Sequence, residues 1–183
     1  TAANVGRRLR KLGIRSAASL THGAGVAGLP AHECAEAIAE GTSLGLYRFD
    51  KYMTRAIDDG DVNQAEFENL VLVEIDPDRI EDLRSGAEKG KIFAEAEILA
   101  RDMVNEPPNR MAPTNLAEFA QSIADASNHL ECTVMDRDLV EKLGMGAYLG
   151  VAQGSHTPPK LIRVDYKGDR DNPGNNIWLI GKG

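Results

Sequence analysis

The sequence predicts an α/β fold with parallel or mixed sheets flanked by helices, arranged as two incomplete α/β units joined by a long helix. Three observations predict it. Short apolar, β-branched runs alternate with stretches of helical periodicity up to about residue 83. One long helical pattern then runs through residues 85–104 and stops before Pro107-Pro108. Beyond the prolines the alternation of helix and strand resumes.

The first expected helix is capped by Asn4, carries Val5, Leu9 and Leu12 on one face, and closes at Gly13 in the left-handed conformation. Arg7, Arg8, Arg10, Lys11 and Arg15 precede the first acid, Glu33, which resembles a transit peptide in composition. They are read instead as the solvated face of that helix. Residues 14–20 form a short strand and 21–29 a Gly-rich loop. Pro30 suits the first turn of a helix ending near Tyr47, whose stripe is Cys34, Ala35, Ile38, Ala39 and Thr42. Residues 49–64 are polar, and Asp58-Asp59-Gly60-Asp61 is an expected exposed turn. A strand over 70–75 is stopped by Asp76-Pro77.

Ser85-Gly86-Ala87-Glu88 fits a capping box for the long helix, with Ile92, Ala96, Leu99, Ala100 and Met103 as its apolar stripe. Asn105-Glu106-Pro107-Pro108-Asn109 ends it, since Pro107 cannot extend a helix and biases the residue before it away from one. Thr114 caps the next helix, with Leu116, Phe119, Ala120 and Ile123 inward. Residues 131–135 are a strand, and Asp136 starts a short helix that Gly144 ends. Strands over 161–166 and 177–180 follow, separated by a polar turn over 168–175.

Composition excludes several classes. The 183 residues are 42% hydrophobic and 27% charged, the ordinary range for globular proteins. No apolar run approaches the roughly 18 to 20 residues of a membrane-spanning helix. A net charge of −7 with acid spread along the chain makes nucleic-acid binding a poor default. Two cysteines, Cys34 and Cys132, cannot build a disulfide framework, so a reducing cytoplasm is expected. The start at Thr1 and the stop just after an expected buried strand give the expectation of a fragment.

Local motifs say little about chemistry. Gly23-Ala24-Gly25-Val26-Ala27-Gly28 is a literal G-x-G-x-x-G between a strand and a helix. Pro30 starts the helix after the third glycine, and Asp50, at the spacing of a ribose partner, ends a helix rather than a strand, so a surface loop is preferred. A nucleotide-binding or assembly module using this loop is the alternative. Gly144, Gly146, Gly150 and Gly154 match no phosphate loop. His22, His32, His129 and His156 are scattered, and no zinc spacing or nucleophile elbow exists. Lys182, between Gly181 and Gly183, follows an expected strand, where ligands gather in open α/β sheets. An ordinary turn lysine is the competing reading.

One ordered set is far more specific. Ala100-Arg101, Asn105 through Asn109, Pro113-Thr114, Leu143-Gly144-Met145-Gly146, Val151, Gly154-Ser155, Pro158-Pro159, Tyr166 and Gly181-Lys182-Gly183 occur in that order and spacing. The set resembles the leucine aminopeptidase (cytosol aminopeptidase) family of dinuclear metallo-exopeptidases, and Gly45-Leu46-Tyr47-Arg48-Phe49 resembles the end of that family's N-terminal domain.

The resemblance implies that residues 1–83 are the latter portion of the N-terminal α/β domain, 84–104 the interdomain helix, and 105–183 the opening of the catalytic domain. It implies that Lys182 is a ligand of one of two divalent metal ions, zinc or manganese. An amine must lose its proton before donating a lone pair, and a nearby dication supplies the driving force. The ions would bind the free N-terminus of a peptide substrate, polarise the scissile carbonyl and activate a bridging water. It further implies a cytoplasmic homo-hexamer. The family's other metal ligands, its second active-site lysine and its catalytic arginine follow Gly183, so this chain alone is expected to be inactive.

Overall fold

The computed structural model describes residues 1–53, 66–169, 171, 172, 174 and 176–182. The expected turn at Asp58-Asp59-Gly60-Asp61 lies outside them, as does Gly183, and the turn over 168–175 is described only in part. The architecture is α/β, with a parallel pair of strands and an antiparallel pair, each accompanied by helices. Two compact units divide the chain, Thr1–Asn105 and Glu106–Gly183.

The first unit runs α1 (Ala2–Lys11), β1 (Ser16–Leu20), a 3-10 turn (Val26–Gly28), α2 (Ala31–Leu46), β2 (Asn69–Val73), a second 3-10 turn (Pro77–Arg79) and α3 (Ile80–Asn105). β1 and β2 pair in parallel from Ser16↔Asn69 to Leu20↔Val73. Both alternate in burial, so Ala17, Ser19, Leu70 and Leu72 turn to the half-buried face while Leu20, Val71 and Val73 stay exposed.

α1 starts after Thr1 rather than at Asn4, whose Oδ1 instead accepts from Arg7 Nη2 at 2.6 Å. Its end is as expected. Gly13 takes φ 71°, its N–H donates to the Arg10 carbonyl at 2.9 Å, and Ile14 N–H donates to the Leu9 carbonyl at 3.0 Å. These are the paired bonds of a Schellman motif. The buried residues of α1 are Ala2 and Gly6, whereas Val5 and Leu12 are exposed. Close approach of α2 explains the difference, because a Cβ on Gly45 would lie 2.5 Å from Ala3 Cα. Gly45 leaves room for Ala3 there, and Gly6 leaves room for the Thr42 and Leu46 side chains.

α2 buries Cys34, Ala35, Ile38 and Thr42 as expected, and Gly45 continues the stripe. Pro30 precedes the helix as its N-cap. At the other end Arg10 Nη1 donates to the Leu46 carbonyl at 2.6 Å, supplying one of the acceptors that a helix C-terminus leaves open.

α3 departs most from expectation. It begins at Ile80, because Asp76 Oδ1 accepts from Asp78 N–H at 3.1 Å and Pro77 opens a turn that feeds directly into the helix. Ser85 is therefore interior. The buried face carries Leu83, Gly86, Gly90 and Ala94, while Ile92 and Leu99 face outward. A Cβ on Gly86 would meet the His32 carbonyl oxygen at 2.0 Å, and one on Gly90 the Glu36 carbonyl oxygen at 2.3 Å. The helices touch backbone to backbone, and large side chains are turned away from that contact.

The second unit holds α4 (Pro113–Asp125), β3 (Leu130–Met135), α5 (Arg137–Lys142), α6 (Gly146–Ala152) and β4 (Leu161–Tyr166). β3 and β4 pair antiparallel from Leu130↔Tyr166 to Met135↔Leu161. α4 starts at Pro113, with Thr114 inside its first turn and Asn115 Oδ1 accepting from Ala112 N–H at 3.2 Å. Ala117 and Ala124 are its buried residues, Leu116, Phe119 and Ala120 are half-buried, and Ile123 reaches the surface. Asp136 and Gly144 bound α5 as expected, and Gly144 (φ 72°) repeats the motif of Gly13 with bonds to Glu141 and, from Met145, to Val140. The strand expected over 177–180 is absent. Those residues have no regular structure, and their side chains are 87%, 71%, 95% and 93% exposed in order. Among the described residues no strand pairs with them. No helix among the described residues is long and apolar enough to cross a membrane.

Gly90→Ala forces α2 and α3 apart and is expected to cost roughly 1–3 kcal/mol. Gly150→Ala, in α6 where an added Cβ meets nothing within 4 Å, is expected to be neutral or stabilising by up to about 1 kcal/mol. Thermal unfolding followed by circular dichroism checks both, and an unchanged midpoint for Gly90→Ala would contradict the backbone contact.

Candidate functional site

Lys182 is exposed beside exposed Gly181, beyond the irregular segment 177–180. Among the described residues no three of His, Cys, Asp and Glu come together as a set able to hold a metal ion. The fold therefore brings Lys182 to no ready-made group of co-ligands.

The cysteines and histidines belong to no metal-holding group among the described residues. Both thiols are free, Cys34 buried and Cys132 half-buried on β3 opposite Val164. Burial pushes the Cys132 thiol above its ordinary range, and the charge of Asp125 adds to the effect. Because the thiolate is the nucleophilic form, Cys132 is a poor nucleophile at neutral pH. His22, His32 and His156 are exposed. The His129 ring meets Tyr166 edge-on, with centroids 6.4 Å apart.

In the Gly-rich loop, Gly23, Gly25 and Gly28 take φ of 96°, 77° and 77°, and Ala27 joins them at 53°. Its amides are largely used locally: Ala24 N–H donates to Thr21, Gly25 to Leu29, Val26 to Gly23 and Leu29 to Val26. α2 begins only at Ala31, so the third glycine stays outside the helix, unlike a dinucleotide fingerprint. Thr21, at the start of the loop, is buried, and its Oγ1 has no hydrogen-bond partner among the described residues.

Two polar clusters were invisible in the spacing of the sequence. In the first unit the Tyr47 hydroxyl donates to Asp102 Oδ1 at 2.7 Å and accepts from Asn105 Nδ2 at 3.1 Å. The Arg101 guanidinium lies 5.6 Å from the Tyr47 ring centroid. Desolvation first, then the bond to Asp102, raise the Tyr47 phenol above its ordinary range. In the second unit Lys160 is largely buried and pairs with Asp136, and the Tyr148 hydroxyl donates to the Lys160 carbonyl at 2.7 Å. Lys160 also borders a shallow groove of about 380 Å³ along α4, beside Glu118, Gln121 and Asp125. None of the residues singled out as metal ligands reaches it.

The segments flanking these clusters are turns. Arg110 N–H donates to the Pro107 carbonyl at 2.7 Å, and Thr157 N–H to Ser155 Oγ at 3.0 Å.

The fold is of the leucine aminopeptidase class. A mutant of tomato leucine aminopeptidase superposes with a TM-score of 0.74 at 24% identity, covering 89% of this chain and 31% of that one. The bottromycin maturation enzyme BotP, in complex with Mn, superposes with a TM-score of 0.71 at 29% identity, covering 89% and 31%. Sequence comparison defines the family. The model for the cytosol aminopeptidase family N-terminal domain matches residues 1–56, and that for its catalytic domain matches residues 98–183. A probable cytosol aminopeptidase of Alkaliphilus metalliredigens is 37% identical over 155 residues, which are 85% of this chain and 30% of the relative. One of Aquifex aeolicus is 40% identical over 151 residues, 82% of this chain and 28% of the relative. This chain belongs to the cytosol aminopeptidase family, and it spans 28–30% of the length of those two relatives.

If burial keeps Cys132 protonated, alkylation by iodoacetamide in a Cys34→Ala background is slow at pH 7.5 and rises with pH beyond the range of a free cysteine. A rate at pH 7.5 equal to that of free cysteine would contradict the assignment.

Proposed function

We propose that this chain is part of a cytoplasmic two-metal leucyl aminopeptidase that removes N-terminal residues from peptides with a free N-terminus. The observation that carries the reading is the order of the two matches, N-terminal domain followed by catalytic domain, along one chain. The Mn bound to the structurally similar BotP supports a divalent ion, and manganese or zinc is the proposed metal. On this reading residues 1–83 belong to the N-terminal domain, 84–104 to the connecting helix and 105–183 to the catalytic domain. The complete enzyme is a homo-hexamer.

Lys182 is the proposed metal ligand in this chain. Its flexible stem, next to Gly181, leaves the amine room to turn toward an ion. The residues present do not fit two ions by themselves. A dinuclear site needs several donors, carboxylates among them, and Lys182 offers one nitrogen. The described residues bring no acid or imidazole group together to complete it. The proposed contribution of this chain is therefore one ligand and the wall of α/β structure that leads to it.

The purified 183-residue chain is expected to release no leucine from a leucyl-peptide in the presence of manganese, and measurable release would overturn the account of its donor set. A chimera in which this chain replaces the matched segment of the Aquifex aeolicus relative is expected to hydrolyse the same peptide. Lys182→Ala in that chimera should lower turnover by at least roughly 100-fold, the scale on which even outer-shell partners of a metal act. Undiminished turnover would remove Lys182 from the site.

A further inference from the structure

α2 and α3 run parallel in a fixed register. One constant offset links His32 with Gly86, Glu36 with Gly90 and Tyr47 with Arg101. Lys89 Nζ pairs with Glu36 across the same seam at 2.9 Å. Parallel packing puts both helix C-termini at one end, where their unpaired carbonyls carry partial negative charge side by side. α2 is relieved by Arg10, which donates to the Leu46 carbonyl.

α3 has no such relief of its own. Its last turn contains no basic residue and does contain Asp102, an acid at the end of the macrodipole that disfavours it. Nothing downstream can extend the helix, since Pro107 lacks an N–H and disfavours helical geometry at Glu106. By local rules residues 102–105 should fray. They are helical nonetheless, and Tyr47 touches two of the four: its hydroxyl donates to Asp102 and accepts from Asn105. Both functions of one phenol oxygen are used, and both bonds reach from the residue just past α2 to the final turn of α3.

We propose that Tyr47 is a latch on the last turn of α3: its hydroxyl holds residues 102–105 in the helix and so fixes Asn105 as the point where the rigid helix ends and the connecting segment begins. The latch supplies what the sequence of that turn lacks. Bonded to the phenol, the Asp102 carboxylate has a donor that the helix terminus denies it, and Asn105 is tied back rather than left to cap or unwind. The Arg101 guanidinium over the ring holds the aromatic side chain from its face. Opening the latch shortens α3 by one turn and lengthens the segment before the second unit by the same four residues. The role is one of position and order, independent of metal or peptide.

Amide hydrogen exchange on the full 183-residue chain tests it. In Tyr47→Phe, exchange at residues 102–105 is expected to quicken by about tenfold or more, while Ile38 in α2 and Leu72 in β2 change by less than about twofold. Asp102→Asn keeps an acceptor for the phenol and is expected to retain wild-type protection. Unchanged protection of 102–105 in Tyr47→Phe overturns the proposal. A uniform quickening in all three places does so too, since Tyr47 would then be a general packing residue. Should Tyr47→Phe fail to fold, Asn105→Ala, at an exposed position, provides the second reading. It removes one bond only, with about a threefold rise at 102–105 expected and no rise decisive against the latch.

Discussion

The contact on which the first unit depends is between two backbones. Gly86 and Gly90 let α3 rest on the carbonyls of His32 and Glu36 at distances no Cβ permits, so a single methyl group in either place separates the helices. At that separation dispersion between main chains takes the place of interlocking large side chains. The register follows. Once residues 32 and 36 face 86 and 90, Glu36 comes within reach of Lys89, and Tyr47 arrives beside Arg101, Asp102 and Asn105. The same economy of size governs α1, where Gly6 and Gly45 set the approach to α2.

This explains which parts of the fold were legible in the sequence. Features decided within one turn of chain were read correctly: Gly13 and Gly144 close their helices and Asp136 opens α5, whereas the strand expected to run to Asp76-Pro77 already ends at Val73. The stripe of α2 was legible because Cys34, Ala35, Ile38 and Thr42 recur at helical spacing and are the residues that the helix buries. The stripe of α3 was misread because the rule that apolar residues mark the buried face assumes that side chains fill the interface. Here glycine marks it, and Ile92 and Leu99 are excluded by the closeness of α2. Helix starts failed for a different reason. Ser85 and Thr114 are good caps by type, but Asp76-Pro77 and Pro113 lie upstream and already open the helical turns.

The candidate site divides in the same way. No spacing, charge cluster or local motif singled out Lys182 above an ordinary turn lysine, and the structure surrounds it with no donor set. What made it a candidate was the order of many weakly informative residues from Ala100 to Gly183, the stretch that the catalytic-domain match covers. A metal centre is a property of several distant segments at once, and a lysine becomes a ligand only where neighbouring dications favour its neutral form. The Tyr47 cluster was illegible for the opposite reason. Each of its residues is unremarkable alone, and only the helix register joins Tyr47 to Asp102 and Asn105.

Small-residue packing also sets the character of the surface. Turning large apolar side chains away from the α2–α3 seam leaves Ile92, Phe93, Leu99 and Val104 exposed on α3, while Leu20, Val71 and Val73 remain exposed on the outer face of the β1–β2 pair. A two-stranded sheet is marginal by itself and a parallel one is ordinarily covered on both faces. The ordering of the first unit therefore cannot come from a deep side-chain core. It comes from main-chain proximity, from helix ends bonded by Arg10 and Tyr47, and from the parallel pairing of β1 with β2. Such a unit is sensitive at its seams, where a methyl on Gly90 moves two helices.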